Sequence, residues 1–300
     1  MNPPRLPAVV LLLVLAGCTA GPRLQRATTA REVKPPLAAE APRVAPDDEL
    51  DATLWTQRAV EHDLVFREVY RNAREKLPEA LADPSWNALP REDREGSAAG
   101  RPPAVILDVD EAVLDNSPYQ ARLVRSGEEF SEYTWSRWCQ EEAARPLPGA
   151  VEFTRFAADR GVAVYYLSNR AEDLDRVTLA NLRKAGFPVS GDDSFLGLGT
   201  VVEGCEQYGS DKGCRRRLVG RSHRVVMQFG DQLGDFVDVI ANTPDGRGKS
   251  VEPYLDWIGE RWWVLPNPMY GSWEPAQFDN DWTRSRESRR KAKIDALRVN

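Results

Sequence analysis

The sequence is poor in the residue types that build soft-metal sites. Only two histidines and four cysteines occur among its 300 residues. His62 and His223 stand at no ligand-like spacing from the thiols, which disfavours a zinc site. There is also no excess of positive charge: the formal net charge is −6, which argues against a general nucleic-acid binder with a basic face. No repeat of fixed period is visible, and this argues against a solenoid or a propeller.

The amino terminus has an apolar core too short to span a bilayer. Residues 8–15 form this core, well below the ~20 residues that a transmembrane helix needs, and its length is typical of a signal peptide. It ends in Leu15-Ala16-Gly17-Cys18, which resembles the lipobox of bacterial lipoproteins, where the cysteine carries the lipid. A plain secretory signal with an incidental cysteine is the alternative.

We therefore predict a signal peptide over residues 1–17 and lipid attachment at Cys18. By the same resemblance, Thr19 in place of an aspartate favours the bacterial outer membrane over the inner one. Residues 18–50 are rich in proline and alanine without apolar periodicity, so we interpret them as an extended tether.

The predicted body runs over residues 51–280. Apolar residues at near-helical spacing predict one docking helix over 51–77, and 78–103 is predicted as loop-rich surface. Residues 281–300 form a strongly basic tail; a solvated helix is the default there, and attraction to anionic lipid head groups is a weaker alternative.

Two of the cysteines are placed for a disulfide. Cys205 and Cys214 close a short glycine-containing loop, and an exported protein meets an oxidising compartment. We predict that they are bonded to each other and that Cys139 is free.

The body is organised around an apolar run that ends in two acids. Residues 104–107 follow Pro102-Pro103 and predict a strand buried on both faces. Asp108 and Asp110 come next, and strand alternation would turn both to the same side. Two carboxylates held together repel each other unless a cation or a proton lies between them.

Three further apolar runs predict strands, at residues 162–167, 223–229 and 262–265, and helical patterns lie at 149–159 and 174–185. Alternating strands and helices favour an α/β fold with a mostly parallel sheet and helices on both faces. The aromatic-rich segment near 120–147 is either a small, partly helical cap over the site or a satellite core.

Small polar clusters follow three of the predicted strands. Oxygen ligands in small number suit Mg²⁺, and a hydroxyl, an amide and a lysine suit the oxygens of a phosphoryl group. A carboxylate can act as nucleophile while a second one protonates a leaving oxygen. Phosphoryl transfer through an aspartyl phosphate is the chemistry that this set favours. Its members are Asp108, Asp110, Ser168, Asn169, Lys212, Asp231 and Asp235.

These residues resemble the motifs of the haloacid dehalogenase superfamily, and within it the class C acid phosphatases, or 5′-nucleotidase lipoprotein family. The matching stretches are 108–119, Ser168-Asn169-Arg170, Lys212, Gly230-Asp231 through Asp235, and the family-like segments 148–153 and 266–274. The resemblance covers about residues 54–274 and implies a Rossmann-like sheet with a cap.

The resemblance implies a role for each acid. Asp108 would be the nucleophile and a Mg²⁺ ligand. Asp110 would be general acid and then base, and would offer the metal its backbone carbonyl. Asp231 would complete the metal site, with Asp235 in support.

The same resemblance places the substrate. Ser168, Asn169 and Lys212 would bind the phosphate, and Lys212 would also offset the charge on Asp108. Phe130, Trp135 and Tyr270 would flank a nucleobase. The implied substrate is a small phosphomonoester such as a 5′-nucleotide, hydrolysed best at acidic pH because Asp110 must be protonated. Formation of a homodimer is a further alternative.

One position departs from the superfamily pattern. Ala112 stands where a threonine or valine is usual. A threonine hydroxyl could form a hydrogen bond within the loop that carries Asp108, and the loss of that bond would make the loop less ordered, at a cost of about 1 kcal/mol. We expect an active enzyme, with reduced activity as the alternative. Alternatives are a weakly active or inactive surface lipoprotein that binds a small ligand in the aromatic cap, and transfer of the phosphoryl group to an acceptor other than water.

Overall fold

A computed structural model describes residues 48–299, so the predicted signal peptide, Cys18 and nearly all of the tether lie outside the described residues. Within this range a five-stranded parallel sheet has the order β5-β4-β1-β6-β7, and β2 and β3 form a separate antiparallel ribbon. The strands are β1 (Pro103–Leu107), β2 (Leu114–Asp115), β3 (Arg145–Pro146), β4 (Ala163–Ala171), β5 (Phe195–Leu198), β6 (Arg224–Gly230) and β7 (Trp262–Val264).

Helices cover both faces of the sheet, which confirms the predicted fold class. Strand alternation sends Val105 and Leu107 into one apolar core and Ala104 and Ile106 into a second one on the other face. The helices are α1 (Leu50–Arg58), α2 (Val60–Ala82), α3 (Ser117–Ser126), α4 (Glu132–Gln140), α5 (Ala150–Ala158), α6 (Asp175–Ala185), α7 (Gly213–Ser222), α8 (Pro244–Val251) and α9 (Arg286–Asp295).

The prediction of one helix over residues 51–77 is wrong in three respects. The chain breaks between α1 and α2 at Ala59, whose backbone is extended, and α2 continues through Pro78. The buried face of α2 is lined by other residues than the pattern suggested, among them Phe66, Tyr70 and Leu77. Of the residues that carried the pattern, Trp55 and Val69 are half-buried and the others are exposed: Leu54, Val60, Leu64 and Val65. Two apolar stripes compete on these helices, and only packing against the sheet decides between them.

The segment near 120–147 is partly helical, as expected, and consists of α3, α4 and the β2–β3 ribbon. Ser131 caps α4 by accepting a hydrogen bond from the Thr134 backbone N–H. The free thiol of Cys139 is buried in this segment, and Cys205 and Cys214 form the predicted disulfide.

The basic tail forms α9, but this helix is not simply solvated. Arg289 is buried and bonds Glu129 at 2.6 Å, and Arg290 and Lys293 pair with Asp48 and Glu274 at 2.9 and 3.0 Å. Much of its positive charge is therefore matched by the domain itself. No helix within residues 48–299 is both long and apolar enough to cross a membrane.

Candidate active site

Three adjacent parallel strands bring the polar clusters to one edge of the sheet. Asp108 directly follows β1, Ser168 lies near the end of β4, and Asp231 directly follows β6. Carboxyl ends of parallel strands meet at the same edge, which is where open α/β sheets bind ligands. Lys212, the residue that precedes α7, also lies at this edge.

A buried lysine joins two of the carboxylates. The Lys212 ammonium donates to Asp108 Oδ1, to Asp235 Oδ1 at 2.7 Å and to the Leu167 carbonyl at 2.9 Å. Burial raises the pKa of Asp108 well above its ordinary value; Lys212 only partly offsets this, because Asp235 and Asp231 add repulsion. The carboxylates of Asp108, Asp231 and Asp235 together therefore offer more negative charge than the Lys212 ammonium neutralises.

Three carboxylates lie close enough to hold one cation. Single oxygens of Asp108, Asp231 and Asp235 lie within 4.8 Å of one another. Asp231 is oriented by the side-chain amides of Gln232 and Asn267, at 2.6 and 2.8 Å. Burial and then repulsion from Asp235 raise its pKa to about 7. An all-oxygen donor set with surplus negative charge fits a hard divalent cation.

Asp110 has a different environment, although it is only two residues from Asp108. Its carboxylate pairs with the buried Arg170 at 2.7 Å and accepts hydrogen bonds from Ser168 Oγ at 3.1 Å and Asn116 Nδ2 at 2.8 Å. The carboxylate of Asp110 therefore has partners other than Lys212, which bonds Asp108 and Asp235. Its predicted contribution to a metal site, through the backbone carbonyl, stays a prediction.

The turn after Asp110 is held by contacts that the sequence did not reveal. Glu111 adopts a positive φ of 56°, an unfavourable conformation for a residue with a side chain, and its buried Oε1 accepts from the Asn116 backbone N–H at 2.8 Å. Ala112 is fully buried, and its carbonyl accepts from the Tyr70 hydroxyl of α2 at 2.7 Å. The turn is therefore tied to α2 through the backbone of Ala112.

Replacing Tyr70 by phenylalanine tests this tie. The buried Ala112 carbonyl would lose its partner, so we expect about 1–2 kcal/mol less stability and a severalfold lower kcat. Denaturant unfolding and steady-state kinetics measure both. Tyr166→Phe is the control, since it removes a hydroxyl that bonds the Pro188 carbonyl at 3.0 Å. An equal loss of kcat in both variants would contradict the role given to Tyr70.

The predicted phosphate-binding residues differ in exposure. Ser168 is completely buried and accepts from the Arg170 backbone N–H at 3.0 Å, while the neighbouring Asn169 is exposed. Lys212 bonds the carbonyl of Leu167, the residue before Ser168, as well as Asp108 and Asp235. The three side chains therefore border the same strand end.

Two of the three predicted aromatic residues cluster beside Asp110. Phe130 and Trp135 lie 6.3 Å apart between ring centroids, and Trp135 packs on Tyr119 at 5.1 Å. The Arg170 guanidinium lies 5.3 Å from the Trp135 ring, which links the aromatic cluster to the residue that pairs with Asp110. Tyr270 is half-buried elsewhere at the edge, where its carbonyl accepts from Gln232 at 3.3 Å.

Several residues of this network were not given roles from the sequence. Asn116 links Asp110 to the Trp138 indole, which donates to Asn116 Oδ1 at 2.7 Å. Asn116 and Arg170 lie inside the motif stretches 108–119 and 168–170, so the motifs could have indicated a role for both residues. Tyr70 had none, because 42 residues separate it from Ala112.

Comparison with known proteins agrees with this geometry. Residues 51–273 match the family model described as HAD superfamily, subfamily IIIB (acid phosphatase). The chain belongs to this acid phosphatase family. The resemblance to the haloacid dehalogenase superfamily and to its acid phosphatases is thereby confirmed.

Relatives of this chain include a bacterial protein of known structure and several plant proteins. The class C acid phosphatase from Bacillus anthracis is 32% identical with a TM-score of 0.72, covering 84% of this chain and 97% of that one; it has also been solved with tungstate bound. The stem 31 kDa glycoprotein of Glycine max is 30% identical and acid phosphatase 1 of Solanum lycopersicum 28% identical, each over 55% of this chain. The matched regions cover 58% and 57% of those two plant proteins, little more than half their length.

Proposed function

We propose that this protein is a Mg²⁺-dependent phosphomonoesterase that hydrolyses small phosphate esters, 5′-nucleotides among them, through an aspartyl phosphate on Asp108. One observation carries the proposal: a buried lysine and three carboxylates meet at the strand ends, with a separately held carboxylate, Asp110, two residues from the first. Such a set pairs a nucleophile with an acid whose surroundings differ from its own.

The phosphate group is held first. The Ser168 hydroxyl, the Asn169 amide and the Lys212 ammonium border one strand end and are the donors that phosphoryl oxygens require. Ser168 donates to Asp110 in the structure, so a bound phosphate would compete with Asp110 for that hydroxyl. A relative with tungstate bound supports an oxyanion site in this fold.

The reaction then has two steps. An Asp108 oxygen attacks phosphorus, the bond to the ester oxygen breaks, and Asp110 protonates that leaving oxygen. Asp110 next takes a proton from a water molecule, whose oxygen attacks phosphorus. The bond between phosphorus and the Asp108 oxygen breaks, which releases inorganic phosphate and restores the Asp108 carboxylate. Asp108, Asp231 and Asp235 would hold the divalent cation, which when bound neutralises charge on the phosphoryl oxygens.

The aromatic cluster supports a planar leaving group. Phe130 is 54% exposed and stands beside Trp135, whose ring also contacts the Arg170 guanidinium. An exposed ring next to a site for phosphate suits stacking against a nucleobase. We extend the proposal to Tyr270 as a third flanking residue.

The cellular setting is part of the proposal. The lipobox-like Leu15-Ala16-Gly17-Cys18 supports export and lipid attachment at Cys18, with the outer membrane as location. The disulfide between Cys205 and Cys214 agrees with an oxidising compartment. Residues 18–50 would then be the tether of the phosphatase domain.

A substrate panel with and without Mg²⁺ tests the proposal. We expect phosphate release from 5′-nucleotides to exceed that from 3′-nucleotides, to stop with a chelator and to return with added MgCl₂, because the carboxylate cluster needs a cation. Aryl phosphate and nicotinamide mononucleotide complete the panel. Unchanged activity in the chelator would contradict the metal requirement, and no release from any ester would favour the ligand-binding alternative.

A further inference from the structure

Arg215 is a buried cation that lacks a carboxylate partner within residues 48–299. Its side chain is fully buried, and its guanidinium donates to the Ser168 carbonyl at 2.5 Å and to Asn169 Oδ1 at 2.7 Å. Two further bonds reach the carbonyls of Ser210 and Asp211 at 3.3 and 3.1 Å. Its neighbour Arg216, by contrast, forms ordinary ion pairs, with Asp93 and Asp238.

Burying this charge is costly, so its position calls for an explanation. Burial lowers the pKa of Arg215 to about 10, which leaves it charged at neutral pH. A buried charge without an ion-pair partner is generally unfavourable for stability. Perturbed ionisable groups of this kind concentrate at functional sites. Arg215 lies directly behind the strand end that carries Ser168 and Asn169.

The contact with Asn169 has a definite chemical consequence. A guanidinium carries only donors, so it must face the oxygen of the Asn169 amide and not its NH₂ group. Reversing the amide would bring two donors together and lose the bond. With Oδ1 held in this way, the NH₂ group of the exposed Asn169 is left to donate to a ligand.

Arg215 also joins two parts of the site. Its bonds to Ser168 and Asn169 hold the end of β4, and its bonds to Ser210 and Asp211 hold the loop that leads into Lys212. A rigid fork that reaches both segments fixes their separation, which a flexible ammonium could not do. Arg215 therefore ties the strand end that carries Asn169 to the two residues that precede Lys212.

We propose that Arg215 is a positioning residue for phosphate binding, which orients the Asn169 amide as a donor and ties β4 to the Lys212 loop. This inference rests on the proposed function, since it takes Asn169 to bind the substrate phosphate. In this role Arg215 does not bind the phosphate itself. It holds the Asn169 side chain so that the NH₂ group of Asn169 can donate to the phosphate.

The role of Arg215 in phosphate binding can be measured by competitive inhibition. Inorganic phosphate is the inhibitor, an aryl phosphate is the substrate, and Mg²⁺ is present. Asn169→Ala should raise KM and the phosphate inhibition constant about 10- to 100-fold, with a smaller effect on kcat. Arg215→Lys keeps the charge and removes the fork, and should weaken phosphate binding about as much. The double variant should be weaker than Asn169→Ala by much less than the effect of Arg215→Lys alone, because the Asn169 contact is already lost and only the tie to the Lys212 loop remains to be removed. Effects that multiply would overturn the proposal.

Arg224→Lys is the matched control. Arg224 is also buried and, within residues 48–299, bonds only backbone carbonyls, those of Ala80, Asp83 and Trp86 among them. It stands at the start of β6, at the opposite end of the strand from Asp231. We expect lower stability and an unchanged phosphate inhibition constant. A rise equal to that of Arg215→Lys would show a general effect of losing a buried guanidinium and overturn the proposal.

A spectroscopic test on the unaltered protein covers the case in which Arg215→Lys does not fold. The side-chain NH₂ signal of Asn169, identified by its loss in Asn169→Ala, should shift when phosphate is added to the ¹⁵N-labelled protein. An unshifted signal in a protein that still hydrolyses phosphate esters would overturn this inference and leave the proposed function intact. A protein that neither hydrolyses esters nor binds phosphate would overturn both.

Discussion

Asp108→Asn is expected to lower phosphate-ester turnover by about 10⁴-fold or more while the protein stays folded. The amide nitrogen and oxygen cannot form the aspartyl phosphate, and the variant also removes one negative charge from the three-carboxylate cluster. The fold should survive because burial already makes the charged form of Asp108 unfavourable, so a neutral side chain of the same size suits the position.

Asp115→Asn is the control for this change. Asp115 lies in the same motif, but its carboxylate accepts from the Ser117 backbone N–H at 2.8 Å, a bond that asparagine can also accept. We expect turnover close to that of the unaltered protein. Turnover of an aryl phosphate and a circular dichroism spectrum measure both variants. Substantial turnover in a folded Asp108→Asn protein would show that another residue is the nucleophile.

Lys212→Met is expected to have the second largest effect. It leaves Asp108 and Asp235 buried without the ammonium that bonds both, so we expect about 3–5 kcal/mol less stability near neutral pH. Turnover should fall about 10³-fold, since the same ammonium is proposed to bind the phosphate. Denaturant unfolding and steady-state kinetics give the two numbers.

Lys76→Met is a control matched in chemistry. Lys76 also pairs with two carboxylates, Glu79 at 2.9 Å and Glu260 at 2.6 Å, but on the surface. Exposed pairs contribute little, so we expect a loss of less than about 1 kcal/mol and unchanged turnover. If the two lysine variants proved equally stable, the buried cluster would not hold the charges as described.

Features that depend on local sequence could be predicted. The apolar run of β1 and the acids after it predicted a buried strand and a site at its end, and the sheet confirms the strand. The short β5 was missed, since its four residues include Gly197 and give no clear period. Helix α7 was missed because Arg215 and Arg216 occupy its buried face, against the rule that arginine lies outside.

The site network was less predictable because most of its bonds cross long stretches of chain. Asp108 and Lys212 are 104 residues apart, and Asp110 and Arg170 are 60 apart. Motif resemblance brought such residues together and implied that Lys212 offsets the charge on Asp108, but it gave no partner for Asp110. The structure separates Asp108, which bonds Lys212, from Asp110, which bonds Arg170, and this difference is what the two proposed roles require.

The aspartyl phosphate is the central claim, and trapping it is the most direct test. The protein is mixed with a ³²P-labelled phosphate ester in Mg²⁺, quenched in acid within a single turnover and cut into peptides. We predict label on the peptide that contains Asp108, its release by hydroxylamine as expected of an acyl phosphate, and none in Asp108→Asn. Label on another residue, or full turnover without any labelled protein, would contradict the account.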